Sequence, residues 1–374
     1  MPGGTPPQPS PFKKGFPCHG ATLDCATAML GVAARFPKPA SSAIIESILE
    51  EKTMKRVTLG SALCAALLAF AAHAQQYPNR PITMIVPFPP GGIADITGRP
   101  LAVAMSKSLG QTIVVENKSG AGGAVGHAHT ARQPPDGYTI MTALSSITVI
   151  PVADEVNQRQ PTYQMSDFTP IALVSADPTL LLVAADSPWK TIGDLVADAK
   201  KRPGQISYST SGVYGTTHTC LSMFTQAAGI DMLHVPYKGG GPSMVALLAG
   251  EVKVTAQSPG VSNPHIKSGK VRALASWGAT RLPQIADIPT LKESGYDAEF
   301  YIWAGVFAPA KLPPDVTATL RKAVRAAVND PEFKRAMAGV NTPIQFLEGA
   351  EFDAYIATDG GRLANVVRRM GKTQ

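Results

Sequence analysis

Short apolar runs alternate with longer segments of helical spacing along residues 77–374. The run 82–86 (ITMIV) is short and rich in β-branched residues, which predicts a buried strand. Segment 94–109 follows, with apolar residues at Ile96, Val103 and Met105, and predicts a helix. We predict further strands at 112–116, 138–142, 168–175, 180–185, 206–210, 233–235, 252–256, 271–276 and 301–308, and further helices at 124–131, 191–201, 215–229, 241–249, 264–267, 313–329, 331–338 and 350–370. This alternation predicts an α/β fold with parallel sheets.

The first 74 residues follow a different pattern. Prolines and glycines interrupt residues 1–53, where no long apolar period survives. A basic Lys55-Arg56 pair, an apolar run over 59–70 and the sequence Ala72-His73-Ala74 then follow in the order of a secretory signal peptide. We interpret 54–74 as that signal peptide, cleaved after Ala74, and predict a periplasmic protein. Residues 1–53 are then either upstream of the true start or a disordered leader.

Removal of residues 1–74 changes the charge and the cysteine content. The whole chain holds 34 basic and 27 acidic residues; residues 1–74 hold 7 and 4 of them, which leaves 27 against 23, or +4. Such a small positive net charge suits the binding of small anions. Because Lys and Arg are not clustered, it does not indicate nucleic-acid binding. Only Cys220 of the four cysteines remains, so no internal disulfide can form. About three hundred residues are more than one compact core usually covers, which favours two lobes.

Two turns predict places where an anion could bind. The first, 87–95 (PFPPGGIAD), joins a strand to a helix, and Gly91 and Gly92 allow a ligand close to their backbone. The first amides of a helix lack intrahelical partners and attract negative charge. The second, 210–218 (TSGVYGTTH), also follows a strand and opens a helix, and it adds hydroxyl groups. An ordinary strand-to-helix turn explains each sequence equally simply.

Other candidate chemistry is weaker. Ser211 and His218 suggest a nucleophile and its base, but no G-x-S-x-G elbow surrounds Ser211 and no orienting acid stands out. Segment 120–126 (GAGGAVG) does not fit a dinucleotide fingerprint, because Val125 occupies a small-residue position. The histidines show no metal-site spacing, so we predict neither a metal nor a cofactor. Ser145, Ser146 and Gln257 come at strand ends, where ligands often bind.

Several motifs together resemble the periplasmic receptors of tripartite tricarboxylate transporters, the Bug family. The most specific is the segment 87–95 already described. Supporting segments are 77–82 (YPNRPI), 116–123 (ENKSGAGG), 135–139 (PDGYT), 215–218 (GTTH), 234–239 (HVPYKG), 264–275 (PHIKSGKVRALA) and 307–310 (FAPA). The resemblance covers nearly all of residues 77–365.

The resemblance implies a two-lobe α/β periplasmic binding protein, type II-like, with a ligand cleft between lobes. We place lobe 1 at 77–177 plus 299–374 and lobe 2 at 178–298. In the family the loops corresponding to 87–95 and 211–217 hold carboxylates from opposite lobes. The predicted ligand contacts are Phe88, Pro90, Gly91, Gly92, Ile93, Asp95, Ser145, Ser146, Ser211, Gly215, Thr216, Thr217 and Gln257.

Four features depart from the family pattern. Ile93-Ala94 replaces small or hydroxylated residues, Pro100 interrupts the first helix, and Gln257 replaces a frequent Asp that would bind a ligand amine. Residues 154–166 also differ.

The sequence thus favours a monomeric receptor without enzymatic activity. It would bind a small mono-, di- or tricarboxylate and deliver it to transporter membrane subunits. One alternative is a Ser/His-dependent acyl-transfer enzyme. Another is the ligand-sensing half of a transcription regulator, which the signal peptide disfavours.

Overall fold

The computed structural model describes residues 77–372, in which strands and helices alternate as predicted. The strands are β1 Ile82–Val86, β2 Ile113–Asn117, β3 Thr139–Leu144, β4 Phe168–Pro178, β5 Leu180–Ala184, β6 Ser207–Thr210, β7 Leu233–Pro236, β8 Val254–Gln257, β9 Val271–Ser276, β10 Tyr301–Pro309 and β11 Ile344–Glu348. The leader, the signal peptide and its cleavage site lie outside the described residues.

Ten α-helices lie within residues 77–372. They are α1 Ile93–Leu109, α2 Ala124–Ala131, α3 Ser146–Val156, α4 Ile192–Lys201, α5 Thr216–Ala228, α6 Gly240–Leu248, α7 Pro259–Lys267, α8 Pro314–Asn329, α9 Pro331–Gly339 and α10 Ala350–Met370. Short 3₁₀ turns cover Ala121–Gly123, Met165–Asp167 and Pro283–Ile285. None of these helices is long and apolar enough to cross a bilayer.

The strands form two sheets. One has the order β11-β4-β10-β3-β1-β2, and the other has the order β7-β6-β8-β5-β9. The chain changes sheet between β4 and β5, which only Thr179 separates, and changes back between β9 and β10. The proposed lobe boundaries at 177/178 and 298/299 stay a prediction.

The prediction of parallel sheets is wrong in part, because both sheets are mixed. β1, β2 and β3 are parallel, as are β6, β7 and β8. However, β10 runs antiparallel to both β3 and β4, and β5 runs antiparallel to both β8 and β9. The reason is the exchange between sheets: strands that enter from the other sheet are inserted without a crossover helix to set a parallel direction.

Two elements were absent from the sequence prediction. The helix α3 contains Pro151 and several β-branched residues, which weaken its helical signal. The strand β11 is a short edge strand that pairs irregularly with β4. In contrast, α1 continues through Pro100.

Buried side chains connect the two sheets. One apolar cluster contains Val86 and Phe88, which lie next to the first sheet, together with Leu181 and Phe224, which belong to the second. A separate cluster packs α1 and α8 on the first sheet through residues such as Leu101 and Leu320. The strand ends and helix starts that face each other between the sheets are therefore held on packed elements.

Candidate ligand-binding site

The turn between β1 and α1 leaves a helix start open. Gly92 is the N-cap of α1, with an extended backbone at φ −85° and ψ 167°, and no side chain caps the helix. Its carbonyl accepts hydrogen bonds from the amides of Asp95 at 3.0 Å and Ile96 at 2.9 Å. The preceding amides of the first turn remain without a capping side chain. They can bind an anion, and the helix dipole favours one there.

Asp95 supports this turn from inside. Its carboxylate accepts hydrogen bonds from the Gly91 amide at 3.1 Å and the Asn117 side chain at 3.0 Å, and it pairs with Arg99 at 2.9 Å. Asn117 also donates to the carbonyl of Phe88 at 2.9 Å. Burial by itself raises the pKa of Asp95, but hydrogen bonds from Arg99, Asn117 and Gly91 outweigh it and hold the pKa below its ordinary value. In this structure Asp95 therefore orients the turn.

The turn between β6 and α5 leaves a second helix start open. Its N-cap is Gly215, again extended and without a capping side chain. The turn is fixed by its own residues, because the Ser211 amide donates to the Thr217 hydroxyl at 2.7 Å, which in turn donates to the Ser211 hydroxyl at 3.1 Å. The hydroxyl of Thr216 is buried and has no partner among the described residues. It is available to a ligand.

Both turns contribute to one small cavity between the sheets, which we call the central cavity. It is lined by Phe88, Gly92, Ile93, Ala94, Leu144, Ser211, Thr216, Thr217, Gly240, Gln257, Ser258 and Ile302. None of these side chains carries a charge. The volume of about 20 Å³ is enough for about one water molecule. The two open helix starts thus face a narrow, uncharged space.

Four buried hydroxyls near the central cavity lack hydrogen-bond partners among the described residues: those of Ser145, Ser146, Thr216 and Ser258. Ser258 is the N-cap of α7 and Ser145 the N-cap of α3, yet neither side chain caps its helix. Buried polar groups normally find partners, so this concentration of unpaired donors is unusual. It indicates a place where polar atoms of a ligand would be bound.

The structure brings together about half of the predicted contacts. Those that line the central cavity are Phe88, Gly92, Ile93, Ser211, Thr216, Thr217 and Gln257. Those that do not line it are Pro90, Gly91, Asp95, Ser145, Ser146 and Gly215. Pro90 and Gly91 instead face an outer groove beside α6. The amide nitrogen of Gln257 donates to the Gly240 carbonyl at 3.0 Å and so supports the start of α6.

Five lining residues were missed: Ala94, Leu144, Gly240, Ser258 and Ile302. Leu144 and Ser258 adjoin predicted strand-end residues, so the same strand-end argument could have found both. Ala94 adjoins Ile93 and could have been found in the same way. Gly240 and Ile302 reach the cavity only through the tertiary arrangement of α6 and β10, for which the sequence carries no local signal.

Ser211 and His218 do not form a nucleophile–base pair. His218 accepts a hydrogen bond at Nδ1 from the Tyr214 amide at 2.9 Å, and its ring stacks on His234 with centroids 3.9 Å apart. The Ser211 hydroxyl is engaged by Thr217 instead. Burial lowers the pKa of His218 to about 3, helped by His234, whose own pKa burial lowers to about 4. This geometry assigns His218 a packing role behind the second turn.

Comparison with known proteins identifies the family. Residues 97–371 match the tripartite tricarboxylate transporter family receptor. The chain belongs to this family. The sequence resemblance is thereby confirmed, and the family consists of solute-binding receptors.

Solved receptors of this kind share the fold. The periplasmic binding protein BugD is 33% identical, with a TM-score of 0.74 over 79% of this chain and 100% of BugD. Rpa4515 from R. palustris, solved with adipate, is 28% identical, with a TM-score of 0.73 over 78% of this chain and 98% of its own. MatC (Rpa3494) from Rhodopseudomonas palustris, solved with bound malate, is 26% identical, with a TM-score of 0.72 over 78% of this chain and 100% of MatC. The predicted two-lobe α/β fold is confirmed.

Proposed function

We propose that this receptor captures a small carboxylate in the central cavity and delivers it to the membrane subunits of a tripartite tricarboxylate-type transporter. The observation that carries the proposal is the convergence of two uncapped helix starts, at Gly92 and Gly215, on one uncharged cavity. The relatives solved with adipate and malate support the same ligand class.

The chemistry of the lining favours a carboxylate. A carboxylate accepts hydrogen bonds only, and the open amides and unpaired hydroxyls at Thr216 and Ser258 can donate them. Charge-assisted hydrogen bonds of this kind are shorter and stronger than neutral ones. Because no lysine or arginine lines the cavity, the anion would be held by dipoles rather than by an ion pair, which suits reversible capture and release.

Binding of such a ligand requires movement. A cavity of about 20 Å³ is too small for a dicarboxylate, so the two lobes must separate to admit one. We assign lobe 1 to 77–177 plus 299–374 and lobe 2 to 178–298. The hinges would then lie at the crossovers near 177 and 298, one of which is the single residue Thr179 between β4 and β5.

Further parts of the proposal concern the chain as a whole. We infer export to the periplasm with cleavage after Ala74, a monomeric state and no enzymatic activity. N-terminal sequencing of periplasmic protein should begin at Gln75, and deletion of residues 1–53 should leave export intact. A mature chain that retains residues upstream of Met54 would contradict this assignment.

A thermal-shift screen tests the function itself. A ligand at about 100 times its Kd adds about 2.7 kcal/mol of stability, and about 2–4 °C accompany each kcal/mol at this size. Among mono-, di- and tricarboxylates, amino acids, sugars and nucleotides, we expect a shift of several degrees from one or more carboxylates. If sugars or nucleotides stabilise the protein and no organic acid does, the proposal is wrong.

A further inference from the structure

Buried polar groups follow the segment that connects the two sheets. Ser175, Asp177 and Thr179 are alternate residues of this segment, and alternate residues of a strand face the same side. All three are fully buried, and their side-chain oxygens have no hydrogen-bond partner among the described residues. Three such groups in a row are costly to the fold unless something else satisfies them.

Asp177 lies next to the central cavity. It is directly opposite Ile302 in the antiparallel pair of β4 and β10, and Ile302 lines the cavity. Residues opposite each other in such a pair have Cβ atoms about 4.5–5.5 Å apart on the same face. The Asp177 side chain therefore neighbours one wall of the cavity.

Thr342 places the same carboxyl close to a second wall. The hydroxyls of Thr342 and Ser175 lie near enough to lower the pKa of Asp177, although neither completes a hydrogen bond with it. A Cβ atom on Gly260 would lie 2.7 Å from the Thr342 hydroxyl and 3.3 Å from the Cδ1 atom of Ile93. Thr342 thus adjoins α7 and the cavity-lining Ile93.

The surroundings of the Asp177 carboxyl favour its neutral form. No cation among residues 77–372 pairs with it, and an unpaired ionised carboxylate is very unfavourable in the protein interior. Burial raises its pKa well above the usual range and outweighs the opposing effect of Thr342 and Ser175. A protonated carboxyl can both donate and accept a hydrogen bond.

We propose that Asp177 is a specificity-determining residue, whose protonated carboxyl donates a hydrogen bond to a hydroxyl or carbonyl oxygen on the carbon chain of the bound acid. The inference rests on the proposed function. The open starts of α1 and α5 belong to elements beside different sheets and would hold the carboxylate groups. Asp177 does not itself line the cavity; it is on the segment between those sheets, beside the lining residue Ile302, and would meet the middle of the ligand when the lobes separate to admit it. The receptor would then prefer oxygen-substituted acids to plain ones.

Matched acids test this preference. The probes are succinate against malate, and glutarate against 2-hydroxyglutarate and 2-oxoglutarate, with Kd measured by calorimetry. We expect wild-type protein to prefer the substituted acid of the bound length about 3- to 10-fold, the value of one neutral hydrogen bond. Asp177→Asn keeps a donor and should still prefer the substituted acid. Asp177→Leu should lose it.

The control is Asp359→Asn. Asp359 is also a buried carboxyl, but it lies on α10, where it accepts from the Trp303 indole at 2.7 Å and from Arg362. Its substitution should leave the preference unchanged. Calorimetry of wild-type protein in phosphate and Tris buffers adds a readout that needs no folded variant. An Asp177 carboxyl that stays protonated in the free and the bound protein predicts that the binding enthalpy of the wild type, corrected for ligand ionisation, is the same in both buffers.

Different results would contradict the proposed function and the role of Asp177. If no organic acid binds wild-type protein, the proposed function fails and this inference with it. If acids bind but Asp177→Leu keeps the wild-type preference, only this inference is overturned. It is also overturned if aspartate binds better than malate and Asp177→Asn abolishes that advantage, because the carboxyl would then be ionised and bind an ammonium group.

Discussion

Helix starts beside the central cavity differ from two helix starts elsewhere in how their amides are satisfied. At α4, the Thr191 hydroxyl accepts from the Asp194 amide at 3.2 Å, and the Asp194 carboxylate accepts from the Thr191 amide at 2.8 Å. At α9, Asp330 accepts from the Glu332 and Phe333 amides at 2.8 and 3.1 Å. Side chains close both of these helix ends.

The helices α1 and α5 begin with Gly92 and Gly215 instead, and neither N-cap residue supplies a side chain. At α5 the Thr217 amide donates to the Ser211 hydroxyl at 3.4 Å, which leaves the Thr216 amide open. A Ser, Thr or Asp cap in place of either glycine would stabilise the helix by only about a few tenths of a kcal/mol, and its oxygen would occupy the place of a ligand oxygen. The comparison teaches that α1 and α5, which begin beside the central cavity, keep amides free for a ligand, whereas α4 and α9 close theirs with their own side chains. An uncapped start alone does not mark a site, because α8 and α10 also begin without a side-chain cap.

Lowering the pH should produce the largest difference in stability contribution between the buried histidines and the side-chain caps at α4 and α9. Burial lowers the pKa of His127 and of His218 to about 3, against 6.5 for an exposed imidazole. Both neutral rings stabilise the fold fully above pH 6.5, and this contribution is lost as the pH falls towards their folded-state pKa. Each ring contributes at most about 1.4 kcal/mol per pH unit, so the two together should lower the unfolding free energy by at most about 2.7 kcal/mol per pH unit, with half of that slope at pH 6.5.

The caps behave differently in that range. Hydrogen bonds from backbone amides lower the pKa of Asp194 and of Asp330, so their contribution is complete above about pH 4 and decreases only below it. Urea unfolding from pH 7.5 to 4.5 measures the slope, and His218→Asn should reduce it. A free energy of unfolding that stays constant over this range would contradict the assignment of the neutral histidines.

A pair of threonine substitutions should dissociate binding from stability. Thr216→Ala removes an unpaired hydroxyl at the cavity and should weaken carboxylate binding by about 1.5–3 kcal/mol, with little change in the stability of the free protein. Thr191→Ala removes a cap and should cost about 1 kcal/mol of stability while leaving Kd unchanged. Calorimetry and urea unfolding of both variants check this. If Thr191→Ala weakens carboxylate binding as much as Thr216→Ala does, the distinction between the start of α5 and the start of α4 is wrong.

A substitution that hinders closure of the lobes should have a smaller effect on ligand affinity. Gly260 in α7 belongs to the proposed lobe 2, and a Cβ atom added there would lie 2.7 Å from the Thr342 hydroxyl and 3.3 Å from Cδ1 of Ile93, which belong to the proposed lobe 1. Gly260→Ala should weaken ligand binding by about 1 kcal/mol, because only the closed form is overpacked.

Gly361→Ala is the matched control, since nothing lies within 4 Å of its added Cβ atom. Solution scattering should show ligand-induced compaction in wild type and the control. Equal affinity and compaction in all three proteins would exclude Gly260 as a closing contact.

The sequence predicted the open helix starts because their signals are local. A β-branched strand, a glycine turn and a helical period identify the corner at Gly92, and the same signals recur near Gly215. The insertion of β10 between β3 and β4 depends on contacts far apart in the chain, so the mixed sheets and the position of Ile302 in the cavity had no local signature. The role of Asp95 likewise depends on Asn117, a partner 22 residues away.

The central claim is that the open start of α1 binds the carboxylate, and Gly92→Val tests it most directly. The Gly92 backbone is extended, so valine fits its conformation. Its Cβ atom would lie 3.8 Å from the Pro89 carbonyl oxygen and 3.9 Å from the Gly241 amide nitrogen, so the side chain would fill the space between this turn and the start of α6, beside the cavity that Gly92 lines. Gly361→Val is the control for adding a valine to an exposed helix position. The measurement is the thermal shift produced by the best acid of the screen, relative to each protein without ligand. We predict that Gly92→Val loses most of the shift while Gly361→Val keeps it. A full shift in Gly92→Val would contradict the account.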